Sequence, residues 1–112
     1  MYLPHATAFN LFAHLVHQRE WSTKTFGPMD GSAGAREHLK LELEEVAEDP
    51  CAEEWADVVI LALDGAMRDG IEPDELIYAI QKKQAKNEKR VWPDWRDAEP
   101  GKPIQHVKGI HD

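Results

Sequence analysis

Eight carboxylates fall between positions 42 and 57: Glu42, Glu44, Glu45, Glu48, Asp49, Glu53, Glu54 and Asp57. Helical geometry sorts them. Glu42 and Glu45 are three apart, and so are Glu54 and Asp57, so within each pair the side chains share a helix face. At about 100° per residue, Glu42 and Glu45 flank the apolar stripe Leu39, Leu43 and Val46, whereas Glu44 and Glu48 point to solvent. Asp57 stands directly before the apolar run Val58 to Leu63. Four partly buried carboxylates repel one another strongly unless a cation compensates. All-oxygen ligation suits a hard ion, Mg²⁺ or Mn²⁺. The competing reading is an acid-rich helix end that is simply solvated, and for an isolated Glu-x-x-Glu it is the commoner one. Here the second pair enters an apolar helix, which favours a metal.

A basic stripe lies further on. Lys83, Asn87 and Arg90 are spaced i, i+4, i+7 and continue the face of Leu76 and Ile80, so part of it is expected to point inward. Lys86 and Lys89 diverge from that face and fit a helix C-terminus matched to its dipole. Acids that hold a metal, with inward bases for phosphate, make the pattern of phosphoryl chemistry. Trp21 and Phe26 are candidates to stack on a purine, against ordinary core packing. Asp64 follows Asp57 by seven residues on one helix face; it either accepts hydrogen bonds from a guanine edge or pairs with an Arg or Lys. His14 and His17 have metal spacing but no third soft ligand.

The elements that must position these groups are four helices, over about residues 4–20, 35–48, 52–68 and 73–90. Phe9, Phe12, Ala13 and Val16 give the first its stripe. Residues 21–34 read as a loop, punctuated by Gly27-Pro28, Asp30-Gly31 and Gly34. Asp49-Pro50 stops the second helix. The third is apolar all round at its centre, as in a central bundle helix or a subunit interface. Pro73 opens the fourth. Residues 91–112, with three prolines, read as an irregular tail. Short connections make this an all-α four-helix bundle, a single domain over residues 1–112.

Composition narrows the classes. The 112 residues carry 13 Lys and Arg against 21 Asp and Glu, a net charge of −8, which argues against a sequence-independent DNA binder. A hydrophobic fraction of 42% is too high for a disordered chain. Cys51 is the single cysteine, so there is no intrachain disulfide and no thiolate zinc site. No Glu has a His three residues on, against a di-iron bundle, and no P-loop or EF-hand motif is present. The start of the chain does not read as a signal peptide, and no apolar run is long enough for a membrane span. A cytoplasmic protein is expected, with neither nucleic acid nor membrane as partner.

Glu42-Leu43-Glu44-Glu45 followed by Glu54-Trp55-Ala56-Asp57 resembles the Glu-x-x-Glu…Glu-x-x-Asp signature of the all-α nucleoside triphosphate pyrophosphohydrolases, the MazG-like superfamily. The wider string is similar to that family's small phage branch, which includes the MazZ-type dATP/dGTP pyrophosphohydrolases of phages with 2-aminoadenine DNA. It comprises Glu20-Trp21-Ser22, Thr25 to Pro28, His38-Leu39, Glu54 to Gly65, Lys83 to Asn87 and Arg90-Val91-Trp92-Pro93. The resemblance runs from about Trp21 to Trp95. It implies cleavage between the α- and β-phosphates of a purine deoxynucleoside triphosphate, giving a monophosphate and pyrophosphate. It implies that Glu42, Glu45, Glu54 and Asp57 hold two or three Mg²⁺ or Mn²⁺ ions. It implies that Lys83 and Asn87 bind polyphosphate, and that the chain forms a homodimer or homotetramer. Glu42 or Glu45 would take the proton of the attacking water. The competing class is a non-enzymatic acidic adaptor or DNA mimic, whose acids would face outward and ignore metal.

Overall fold

A computed structural model describes residues 9–109. It is all-α, as expected: four α-helices and, among the described residues, no strand. Helix α1 spans Leu11–Phe26, α2 Ala33–Glu48, α3 Ala52–Arg68 and α4 Pro73–Lys89, and a short 3₁₀ turn follows at Trp95–Asp97. No helix among the described residues is long and apolar enough to cross a membrane.

The start and stop chemistry is local. The Asn10 side chain accepts a 2.9 Å hydrogen bond from the Ala13 N–H and caps α1. Gly27, at φ 101°, ends α1 where a side chain would be strained. Asp49-Pro50 ends α2, and α3 begins with Glu53 and Glu54 in its first turn, where carboxylates match the helix dipole. Gly70, at φ 89°, turns the chain after α3, and Pro73 opens α4.

The first helix differs from the sequence expectation at both ends. It begins at Leu11; of the expected start, residues 4–8 lie outside the described residues, and Asn10 is extended. It also runs on to Phe26, so Trp21 and Phe26 are helical, and the connection shrinks to residues 27–32. The polar run after Glu20 stays helical because its side chains find partners: Thr23 Oγ1 donates to the Arg19 carbonyl at 2.8 Å, and Ser22 is buried against α3. The expected stripe of α1 is not its buried face. Phe9, Phe12 and Val16 are exposed, and Leu15, Gln18 and Ser22 are buried. Likewise Leu43 and Ile80 are exposed.

The chain forms two compact units, residues 1–77 and 78–112. In the first, α3 packs against α2 and α1, with Leu15, Val46 and Met67 as its buried apolar centre. Polar bonds pin these helices. Gln18 Nε2 donates to the Ile60 carbonyl at 2.8 Å. The Ser32 N–H and hydroxyl both donate to the Asp69 carboxylate, at 2.9 and 2.8 Å, tying the start of α2 to the end of α3. The second unit is the body of α4 with the segment after it. There the Val107 N–H donates to the Val91 carbonyl at 2.7 Å.

Candidate active site

Three residues, 49–51, connect α2 to α3, so α3 folds back along α2 and the two acidic pairs meet near the turn. Glu42, Glu54 and Asp57 each bring a carboxylate oxygen within 4.8 Å of the others. Glu45, the remaining expected ligand, lies outside this trio. Glu42 and Glu54 are half-buried, whereas Glu45 and Asp57 are exposed, so the expectation of four partly buried acids holds for two. They diverge because α2 turns Glu42 toward α3 and leaves Glu45 at the rim.

The charges still act together. Partial burial, and then the neighbouring charges of Asp57, Glu42, Glu45 and Asp49, raise the Glu54 carboxyl above the ordinary carboxylate range. That is the electrostatic condition a divalent ion relieves, and an all-carboxylate donor set fits a hard cation. Asp49, Cys51 and Glu54 form a second, overlapping group, with Cys51 Sγ 3.7 Å from Asp49 Oδ2.

His38, part of the family-like string but assigned no role from sequence, stands one turn before Glu42, its Nε2 3.2 Å from Glu42 Oε1. It also lines a pocket of about 320 Å³ together with Phe26, Asp30, Gly34, Leu61 and Asp64. On α3, Asp57, Leu61 and Asp64 follow one another on a single face, so the pocket lies one to two turns along the α2/α3 groove from the acidic trio. Phe26, the last residue of α1, reaches this pocket. Trp21 does not: it lines another, of about 300 Å³, with His14, His17, Gln18 and Ile60. The two aromatic rings nevertheless meet edge to face, 5.4 Å apart at 86°.

Asp64 is buried and doubly bonded. Ser22 Oγ donates to its Oδ1 at 2.7 Å, and Arg68 Nε to its Oδ2 at 2.9 Å. Of its two sequence readings, the pairing with an arginine is realised. Arg68 also donates to Ser22 Oγ at 2.8 Å and to the Pro28 carbonyl at 3.1 Å, so it fastens the end of α1 and the following loop to α3.

In the second unit, Lys83 is exposed and makes no side-chain hydrogen bond or ion pair among the described residues. Asn87 and Arg90 are half-buried, and Arg90 Nη1 donates to Asn87 Oδ1 at 2.8 Å. The stripe expected to point inward is thus exposed at Ile80 and Lys83 and partly covered at Asn87 and Arg90.

An all-α chain with converging acidic pairs on consecutive helices is one class of molecule, and comparison with known proteins identifies it. The model of the dATP/dGTP pyrophosphohydrolase family matches residues 15–109, and the chain belongs to that family. It is also similar to the Eaa protein of Salmonella phage P22, at 42% identity over 82 residues. That match covers 72% of this chain and 26% of the relative, so the chain spans about a quarter of the relative's length. No solved structure matches.

Proposed function

We propose that the chain is a metal-dependent pyrophosphohydrolase that converts dATP and dGTP to dAMP and dGMP with release of pyrophosphate. The convergence of Glu42, Glu54 and Asp57, in a member of this family, carries the reading. Glu42, Glu45, Glu54 and Asp57 would hold two or three Mg²⁺ or Mn²⁺ ions. Metal bound there would lower the pKa of a water and offset charge on the phosphates. Glu45, outside the trio and without an ion pair among the described residues, accepts the water's proton; Glu42 is engaged with His38. The base enters the pocket beside His38 and stacks on Phe26, which Trp21 backs edge to face. Asp64 also lines that pocket, and Ser22 and Arg68 take one bond on each of its oxygens, so it stays the purine-edge candidate only through its remaining acceptor capacity. Lys83 and Asn87 bind the polyphosphate.

The family match spans residues of both compact units, which supports a single functional domain over residues 1–112. Trp55, Val59 and Ile60 on α3 are exposed in the single chain, which supports a homodimer or homotetramer. A phage relative supports a role in the host cytoplasm; by the resemblance to the MazZ type, that role would be removing dATP and supplying dGMP for 2-aminoadenine nucleotide synthesis. The test is a screen of the four ribo- and four deoxyribonucleoside triphosphates with Mg²⁺ or Mn²⁺, resolving products. Monophosphate plus pyrophosphate, fastest from dATP and dGTP, is expected. Diphosphate plus orthophosphate, or no turnover, overturns the proposal; in the latter case the acidic adaptor becomes the better account.

A further inference from the structure

His38 meets both halves of the candidate site, and its two ring nitrogens are not equivalent there. Nε2 lies 3.2 Å from Glu42 Oε1. A carboxylate only accepts, so the nitrogen that faces it is the one that carries the proton. In the neutral ring Nδ1 is then a bare acceptor, and it makes no hydrogen bond among the described residues. The same side chain lines the pocket of about 320 Å³ beside Phe26, Leu61 and Asp64. It is 57% exposed, so the fold does not rest on it. Helical rise sets levels along this groove. On α3, Leu61 stands about 6 Å beyond Asp57, and Asp64 about 10 Å beyond it. On α2, which runs back along α3, His38 stands about 6 Å from Glu42 in the same direction. With phosphates held at the acidic trio and the base against Phe26 and Asp64, the sugar that joins them falls at the middle level. Of the pocket residues on α2 and α3, those at that level are His38 and Leu61, and only His38 is polar. A deoxynucleotide esterified at its 5′ oxygen has one free sugar hydroxyl, the 3′, and it can donate to the acceptor that Nδ1 offers.

We infer that His38 is a specificity-determining residue that reads the sugar: its Nδ1 accepts a hydrogen bond from the 3′-hydroxyl of the deoxyribose, while Nε2 faces Glu42. This rests on the pyrophosphohydrolase reading above, which supplies the deoxynucleotide and its direction in the groove. The one imidazole then ties the position of the sugar to that of a carboxylate of the acidic trio. A substrate without the 3′-hydroxyl leaves the Nδ1 acceptor unpaired, which is how a site built around a hydroxyl rejects an analogue lacking it.

The experiment compares dATP with its 2′,3′-dideoxy analogue in the unmutated chain and in His38→Phe, which keeps a ring and removes both nitrogens. The quantity read is the ratio of kcat/KM for the two substrates. It should be about tenfold in the unmutated chain, the loss of one hydrogen bond, and less than about twofold in His38→Phe. Losing the contact to Glu42 lowers both rates alike and cancels from the ratio. A ratio near one in the unmutated chain overturns the inference and leaves the pyrophosphohydrolase reading standing. A ratio that stays about tenfold in His38→Phe overturns it too: another group then reads the hydroxyl, and His38 acts only through Glu42. The contact is also read without turnover or metal. In the ¹⁵N spectrum of the histidine rings, in EDTA, millimolar 2′-deoxyadenosine should shift His38 Nδ1, and 2′,3′-dideoxyadenosine should not. A resonance that answers both alike, or neither, overturns the inference. A shift with 2′-deoxyadenosine alone, in a chain that hydrolyses no triphosphate, would support the sugar contact and overturn the pyrophosphohydrolase reading instead.

Discussion

Removing Arg68 should cost more stability than any other single cation on this chain, and the structure supplies the size of the effect. Its guanidinium donates to Asp64 Oδ2 at 2.9 Å, Ser22 Oγ at 2.8 Å, the Ser22 carbonyl at 3.3 Å and the Pro28 carbonyl at 3.1 Å. The two charged side chains are only 10% and 12% exposed. Arg68→Leu leaves the Asp64 carboxylate buried with Ser22 Oγ as its remaining donor. Breaking a buried pair from one side costs about 3–5 kcal/mol; the residual exposure puts this pair near the lower end. With a urea slope of about 1.5 kcal/mol/M, the unfolding midpoint should fall by about 2 M. Arg96→Leu is the control. Arg96 also makes two short bonds to one carboxylate, at 2.9 and 2.8 Å, but its side chain is 71% exposed. An exposed pair contributes about 1 kcal/mol or less, so that midpoint should barely move. Urea unfolding followed by circular dichroism measures both. Matching shifts, or a shift for Arg68→Leu under about 0.3 M, would refute the claim that burial decides the magnitude.

Three further outcomes follow from the candidate residues. Glu54 has a raised carboxyl, which penalises its charged form; the penalty is absent below the unfolded-state pKa and complete once pH passes the folded one. Glu54→Gln should therefore melt above the unmutated chain at pH 7 in EDTA, an advantage that fades as pH falls into the ordinary carboxylate range. Mn²⁺ should raise the melting temperature of the unmutated chain, leave Asp57→Asn unmoved, and find Asp57→Asn inactive; a metal-indifferent melting curve for both would remove the metal site. Lys83→Ala should lower kcat about a hundredfold with a smaller change in KM, while Lys89→Ala stays near the unmutated rate; equal small losses would mark the basic stretch as a dipole-matched helix end.

The parts of the molecule legible in the sequence are those fixed by neighbours in the chain. The bounds of α3 and α4 follow from Asp49-Pro50, Asp69-Gly70 and Pro73, each acting within a few residues. The i, i+3 pattern of acids is local as well, and it accounts for Glu54 beside Asp57, which Glu42 joins, but not for Glu45. What was not legible is decided across the chain. The end of α1 is not legible because Ser22 and Thr23 favour non-helical backbone locally, while the partner that holds Ser22 in the helix, Asp64, lies 42 positions away. The separation of Glu45 from the acidic trio depends on how α2 and α3 cross, which no period encodes. His38 belongs to the family-like string, but its place beside Glu42 and in the pocket depends on how α2 packs on α3.

Helix α3 explains why these pieces belong to one device. Asp57, Leu61 and Asp64 recur at i, i+4 and i+7, so one face presents a carboxylate of the acidic trio, a wall of the pocket and the buried anchor to Ser22 and Arg68. A rotation of α3 that changed any one of them would change all three. The anchor is therefore more than a stabilising contact at the far end of the helix. Through Ser22 and the Pro28 carbonyl it fixes the end of α1, which carries Phe26 to the pocket. Through Asp64 it fixes the rotation of α3, which aims Asp57 toward Glu42. The same helix leaves Trp55 and Val59 uncovered on its other side. An all-round apolar centre is what such a helix requires: one side packs inside and registers the acidic trio against the pocket beside His38, and the other is left exposed.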